Sequence, residues 1–397
     1  MIKHLIKMVW NRKRVNFLMM LEIFISFLVL FAVTLLAVYY IDNYRHPLGF
    51  EYSNVWNIST ERTNPDIRTE TTGDQIPAAE LLSNVKDLDE VEDAAGVSMA
   101  PYSLSNSNSA IEFNGREIGY GFNRVTDSFK DVMGLTIVSG RWFGPEDDGA
   151  NWQPVIINQR LARDVFGSED PIGRNFPNGD HAEIIRVIGV ITDFRQDGEY
   201  AGLDNYLFHR NNVNGPQPQP LRNLVVKVRP GTAAVFEEKL IERLQATARD
   251  WTFDIEPLTS MREQVSQIRL IPLIAAGVVS GFLMIMVALG LVGVLWLNVT
   301  QRTKEIGLRR AKGATARKIH TQILGELVVI ASFGLVLGII VVVQIPILDV
   351  ISFISAKVYA YSLLISVLLI YGLTLLCGLY PSRLATRVQP AEALHYE

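Results

Sequence analysis

The chain has 397 residues, 49% of them hydrophobic and 20% charged, with a formal net charge of −4 and a mean hydropathy of +0.19. That hydropathy is too high for a soluble enzyme of this length and too low for a pure membrane bundle, so apolar spans joined to a substantial water-soluble domain are expected. A single cysteine, Cys377, excludes a disulfide framework within the chain, and six scattered histidines without HExxH-type spacing give no metal motif.

In chain order, residues 1–16 begin with Ile2, Leu5, Ile6 and Val9 on one helical face and Lys3, His4 and Lys7 on the other. This predicts a short amphipathic helix in the cytoplasmic headgroup region. Residues 17–40 are the first of four runs able to cross a bilayer core about 30 Å thick, which takes roughly 20 helical residues. The run is longer than a signal-peptide core and no small-x-small cleavage site follows, so it reads as a signal anchor. Glu22 is its one ionisable residue, placed within a turn or two of the cytoplasmic end, where its carboxylate can reach the interface.

Residues 41–269 are long enough to bury a full core. Strands are expected over 52–59, 91–100, 224–228 and 252–257, with amphipathic helices over 78–88 and 232–250, giving two similar strand–helix–strand units. Between them lies an inserted, turn-rich lobe at about 102–221. Asn114-Gly115 is a hairpin signal there between strands at 110–113 and 117–122. Further strands at 155–158 and 184–190 flank a helix through Phe166, and residues 211–220 read as a loop. The acidic stretches Glu146-Asp147-Asp148 and 87–93 lack the alternating ligands and glycine of a calcium loop, so they read as solvated faces. Residues 261–269 read as a helical stalk leading into the second span.

The remaining spans are residues 270–297, 323–343 and 361–379, with a short outer loop at 344–360. Two of them carry GxxxG, as Gly277/Gly281 and Gly334/Gly338. Small residues at this spacing let helix backbones approach closely in lipid, so these four glycines are candidate packing sites, within the chain or against a second subunit. Lysine and arginine concentrate in residues 1–16, in the loop 298–322 and in the tail 380–397. By the positive-inside rule both termini are cytoplasmic and residues 41–269 lie outside. The expected fold class is an α-helical membrane protein with four transmembrane helices and a large α/β extracytoplasmic domain.

The cytoplasmic loop contains Glu305-Ile306-Gly307-Leu308-Arg309-Arg310-Ala311 followed by Gly313-Ala314-Thr315, and the tail contains Tyr380-Pro381 and Pro390-Ala391-Glu392-Ala393-Leu394. Outside the membrane, Ser139-Gly140-Arg141-Trp142-Phe143, the stretch from Asn158 to Gly173 and Val187-Ile188-Gly189-Val190-Ile191-Thr192-Asp193-Phe194 recur in matching order. Together these strings resemble the permeases of MacB/FtsX-type ABC transporters over almost the whole chain. Gly140 and Gly173 read as turn residues, Thr315 as the N-cap of a restarting helix, and Pro381 as the start of a short helix after the fourth span.

The resemblance implies that residues 298–322 hold a coupling helix seated in a groove of an ATPase. Glu305 and Arg309 would be polar docking contacts and Ile306 and Leu308 apolar ones, with Gly307, Arg310 and Gly313 in the same docking set. It also implies a multi-pass protein of the bacterial plasma (inner) membrane. No GxxxxGK[ST] phosphate loop occurs in these 397 residues, so no cofactor is expected in this chain and no catalytic or metal-binding residue is assigned. ATP and Mg²⁺ would instead be bound by a separate P-loop ABC ATPase subunit. The other implied partners are a second permease chain (as homodimer or heterodimer), membrane lipid and an outer-envelope protein, but not nucleic acid. Three functions stay open under this resemblance: export or extraction of a substrate by mechanotransmission, FtsX-like regulation of cell-envelope enzymes without transport, and lipoprotein release. A membrane-anchored enzyme is the remaining class, and no nucleophile elbow or metal motif favours it.

Overall fold

A computed structural model of the chain describes residues 13–62, 77–113, 115–177, 184–215, 221–301, 308–309, 312, 314–348 and 354–387. The chain opens with α1 (Lys13–Tyr44), then β1 (Val55–Arg62), α2 (Ala78–Lys86) and β2 (Val91–Val97). The lobe follows with β3 (Ser107–Phe113), β4 (Arg116–Val125), α3 (Phe129–Met133), β5 (Ile137–Gly140), β6 (Gln153–Asn158), α4 (Gln159–Phe166), β7 (Ile185–Ile191) and β8 (Tyr206–Arg210). Then come β9 (Asn223–Val228), α5 (Phe236–Thr247), β10 (Trp251–Pro257) and three long helices, α6 (Leu258–Gln301), α7 (Ala316–Ile347) and α8 (Ala356–Arg387). Two compact units result, Asn43–Arg269 and Met1–Asp42 with Leu270–Glu397.

In the first unit the ten strands form one sheet, ordered β10-β1-β9-β2-β4-β8-β6-β7-β5, with β3 paired to β4. β9 runs antiparallel to both β1 and β2, and β1 antiparallel to both β9 and β10. Thus β1-α2-β2 and β9-α5-β10 interleave as two split strand–helix–strand units. The lobe strands extend the same sheet through one register pair, Val97↔Val125.

Side chains on successive strand residues point to opposite faces, and each face has its own core. Under α2 and α5, Leu224 and Val226 join Leu81, Val85, Phe236 and Leu240. Val225 points the other way, into a core with Val125, Phe129, Phe194, Phe208 and Leu258. In the lobe, Val155 and Ile157 meet Leu161 and Leu207, whereas Ile156 joins the core of Val225. Asn158 starts α4 by accepting a bond from the Leu161 N–H at 3.0 Å, the capping geometry that satisfies a helix's orphan donors.

In one expected solvated stretch Glu146 and Asp148 are exposed, but the residue between them is not. Asp147 is buried, gripped by both Arg141 Nη atoms (2.5 and 2.8 Å) and by the Gly144 N–H at 3.1 Å. Burial alone would raise its pKa, but the bonds from Arg141 and Gly144 hold the carboxyl below the usual carboxylate range. Asp148 is likewise paired, with Arg210 at 2.7 Å. The tight turn folds Arg141 back over residues only five and six positions later, a neighbourhood that linear charge spacing does not reveal.

The second unit contains helices long and apolar enough to cross a membrane over Phe17–Tyr44, Ala316–Ile347 and Ala356–Leu379, together with the membrane portion of Leu258–Leu297. Ile23, Phe27 and Phe31 of α1 form a core with Val287 and Leu291 of α6, Leu327 and Leu335 of α7 and Ile370 of α8. Ile274, Val278, Phe282, Ile285 and Leu289 of α6 face outward and are exposed. Such a stripe is costly in water and free of cost against lipid tails. Polar side chains inside the helices are satisfied locally: Thr34, Ser362, Ser366 and Thr374 each donate to the carbonyl four residues back, at 2.7–2.8 Å. Ser332 and the Tyr371 hydroxyl, 2.8 Å apart, bond α7 to α8.

Two details depart from expectation. Helix α8 continues through position 381 to Arg387, so Pro381 does not start a new helix; a proline there removes one backbone bond, too little to end a helix of this length. Thr315 does stand at the N-cap of α7, with φ −71° and ψ 148°, but its side chain makes no capping bond.

Candidate functional site

Of the candidate coupling residues, Leu308 and Arg309 are exposed, and Arg309 Nη1 donates to Gln322 Oε1 on the first turns of α7 at 3.0 Å. The Lys312 and Ala314 N–H groups donate to the Leu308 and Arg309 carbonyls, both at 3.0 Å. Glu305, Ile306, Gly307, Arg310 and Gly313 lie outside the described residues, as do the amphipathic N-terminal stretch 1–10 and the tail 388–397.

The two GxxxG pairs are placed differently. A methyl group at Gly334 would stand 2.9 Å from the Met20 carbonyl oxygen, and one at Gly338 would stand 2.3 Å from the Phe27 ring. Both glycines are therefore required where α7 crosses α1. Gly277 and Gly281 on α6 meet nothing within 4 Å. Glu22 proves to face another helix: its carboxylate lies against Gly290, 2.7 Å from where a side chain would begin.

A third constellation escaped sequence reading. Past β7 the chain turns through residues 192–201, and at its centre Arg195 is only 2% exposed. Its Nη1 donates to the carbonyls of Asn43 (2.8 Å) and His46 (3.0 Å), and its Nη2 to those of Glu199 (2.6 Å) and Ala201. The rigid guanidinium fork thus ties the segment after the first span to this loop. Asn43 Nδ2 reaches the Tyr200 carbonyl at 3.3 Å, and Tyr44 stacks on Tyr200 with centroids 5.7 Å apart.

The same loop holds the start of α6. Glu199 pairs with Arg262, whose guanidinium lies 4.8 Å over the Tyr52 ring, and Asp197 lies 3.6 Å from Arg269. Beneath these pairs Leu258, Met261 and Val265 enter the core of Phe194 and Phe208. Burial pushes the nearby Tyr102 phenol up, so it stays neutral. Gly49, with φ +82°, passes so close to the Asp193 carbonyl oxygen that a methyl there would sit 1.9 Å from it, and only glycine fits. This clasp grips both segments that connect the outer domain to the membrane. The one signal in the sequence was the aspartate–phenylalanine–arginine run itself, because a charged residue is ordinarily read as exposed.

Comparison with known proteins adds a family. Residues 16–243 match the MacB-like periplasmic core domain, and residues 277–390 match the FtsX-like permease C-terminal domain. The chain is 25% identical over 307 residues to the macrolide export ATP-binding/permease protein MacB of Bdellovibrio bacteriovorus, covering 69% of this chain and 43% of that protein. It is 25% identical over 330 residues to the ABC transporter permease YknZ of Bacillus subtilis, covering 81% of each. Among solved structures, the periplasmic region of MacB from Actinobacillus actinomycetemcomitans aligns with 54% of this chain and 94% of its own length, at 16% identity and a TM-score of 0.38. The chain therefore spans less than half of the MacB relative and most of the permease relative.

Proposed function

The chain belongs to the MacB/FtsX-type family of ABC transporter permeases, and on that premise we propose that it couples ATP hydrolysis by a separate ATPase subunit to motion of its outer domain. The observation that carries this reading is the continuity of α6. The helix begins in the outer-domain core at Leu258, Met261 and Val265 and runs unbroken to Gln301, Pro272 included. Gln301 opens the stretch that resembles a coupling helix. A displacement at that stretch would pass along a single rod to the clasp of Arg195, Glu199 and Arg262. The ATPase subunit would bind ATP and Mg²⁺, while this chain holds the docking loop and the lever. Both termini would face the cytoplasm, a reading that the placement of basic residues supports.

The open face of α6 at Gly277 and Gly281 supports a second permease chain, since glycines at this spacing favour close helix contact. The work done by the lever would be export or extraction of a substrate from the outer side of the membrane. The membrane helices offer few charged residues to line a polar channel.

The test is to substitute Glu305→Ala and Ile306→Asp in the full chain and follow the cognate ATPase. Loss of copurification, or hydrolysis no longer stimulated by the permease, is the expected outcome. Unchanged association and turnover in both variants would overturn the docking assignment. Transport is then separated from regulation by asking whether ATP turnover exports or releases any substrate from reconstituted vesicles.

A further inference from the structure

The outer domain holds a cleft of about 420 Å³, within the size range of small-ligand sites. One wall is the start of β3 at Ser107–Ser109 with the facing part of β4, the other is the segment leading into β8, and the clasp loop closes the end. Gly119 leaves its face of β4 open, since a methyl there would touch nothing within 4 Å, whereas one at Gly121 would meet the Tyr206 ring at 3.0 Å. A glycine inside a strand often marks a place where a ligand approaches the backbone.

The lining is unusual in chemistry. Small-molecule pockets are mostly apolar with a few polar groups, yet this one presents the amides of Asn106, Asn108 and Asn205, the hydroxyls of Ser107 and Ser109, and carboxylates. An apolar guest would strand those that lack a partner among the described residues, such as Asn108 and Ser109, each group buried unpaired costing about 1–3 kcal/mol. A guest rich in hydroxyls would not, because each hydroxyl both donates and accepts.

Asn205 is fixed by the protein. Its Nδ2 is committed to the Gly119 carbonyl (3.2 Å) and to Asp164 (3.0 Å). Both partners are acceptors, which fixes the orientation of the amide. Its Oδ1 is buried and has no partner among the described residues, so the amide is held by the cleft wall itself.

Charge selects further. Asp197 is already engaged by Asn106 Nδ2 at 2.9 Å and by Arg269, and Arg195 is spent on backbone carbonyls. Asp204 and Arg160 remain, one of each sign. Asp204 is open to solvent at the rim, yet desolvation by the cleft and the neighbouring Asp197 carboxylate still push its pKa up, with Arg160 opposing. At the rim the two exposed charges are of opposite sign, which favours a guest without a strong charge of its own.

We propose that this cleft binds a small uncharged polyhydroxylated molecule, a sugar unit, through Asn108 and Asp204. The proposal is independent of the ATPase coupling. The test uses the full chain in lipid nanodiscs, avoiding glycoside detergents that would occupy the site. N-acetylglucosamine and its β-1,4-linked dimer are titrated by calorimetry, with glutamate, lysine and the apolar dye N-phenyl-1-naphthylamine as competitors. Saturable binding of at least one sugar is expected, weakened about tenfold or more by Asn108→Ala and by Asp204→Ala. Both residues are exposed, so the thermal transition of each variant should match that of the parent. The proposal is overturned if neither sugar saturates at millimolar concentration, if the double variant binds like the parent, or if a charged or apolar competitor binds more tightly than the sugars.

Discussion

Arg195 shows how much one buried cation can organise. Its guanidinium supplies donors to four backbone carbonyls drawn from two chain segments. Arg195→Ala would strand those carbonyls, and the expected loss is about 3 kcal/mol or more of outer-domain stability, read from the urea midpoint. Arg195→Lys should recover little, because an ammonium cannot span the fork; full rescue by lysine would show that charge alone matters. His209 makes a second residue-scale test. Desolvation, helped by Arg124, pushes its pKa down to about 4 from 6.5. The unfolded chain therefore binds more protons between these values, so the contribution is complete above about pH 6.5 and is lost as pH falls toward 4. Because the ring keeps some exposure, the loss between neutral pH and about pH 5 should be about 2 kcal/mol at most. His209→Gln should flatten that part of the pH profile, and an unchanged profile would refute the assignment. Neither residue was legible in the sequence, since burial of an arginine or a histidine depends on distant segments.

At the scale of elements the sequence was far more readable. The spans, the hairpin around Gly115 and the helices flanking the sheet follow from hydropathy and period alone, and the observed bounds shift by a few residues, as helix and strand ends do. The two GxxxG pairs were equally visible, yet sequence could not tell which one the chain uses itself. Structure separates them, and the separation is testable. Gly338→Leu should disturb the packing of α7 on α1, because a side chain there meets the Phe27 ring; overpacking of this kind costs about 1–3 kcal/mol. Gly277→Leu should leave the fold of one chain unchanged, since that position faces open space. If a second permease chain covers it, crosslinking between chains should fall in Gly277→Leu while the melting temperature holds. A drop in melting temperature as large as that of Gly338→Leu would mean that α6 packs within the chain at that position.

For the outer domain as a whole, sequence suggested a lobe inserted between two strand–helix–strand units, and chain order alone could not show how the parts meet. Among the described residues one register pair, Val97↔Val125, joins the two halves of the sheet through their hydrogen-bonded edges. Judged by that seam the halves should separate easily. The side-chain core argues the opposite, because Val55, Ala95 and Val225 from one half pack with Val125, Phe194 and Phe208 from the other, and Leu258, Met261 and Val265 close over them. Burying side chains such as these stabilises by about 1.5–3 kcal/mol each, far more than one strand pair contributes. The core should therefore decide, and residues 43–269 should unfold in a single cooperative transition whose midpoint agrees between fluorescence and circular dichroism. Residues 102–221 expressed alone would expose the lobe's share of this core and should bind a hydrophobic dye without a sharp melt. Two resolved transitions, or a lobe that melts sharply on its own, would mean that the sheet seam is the true boundary. Under the proposed coupling, two transitions would let motion through α6 turn one half against the other, whereas a single transition would have the outer domain respond as one body.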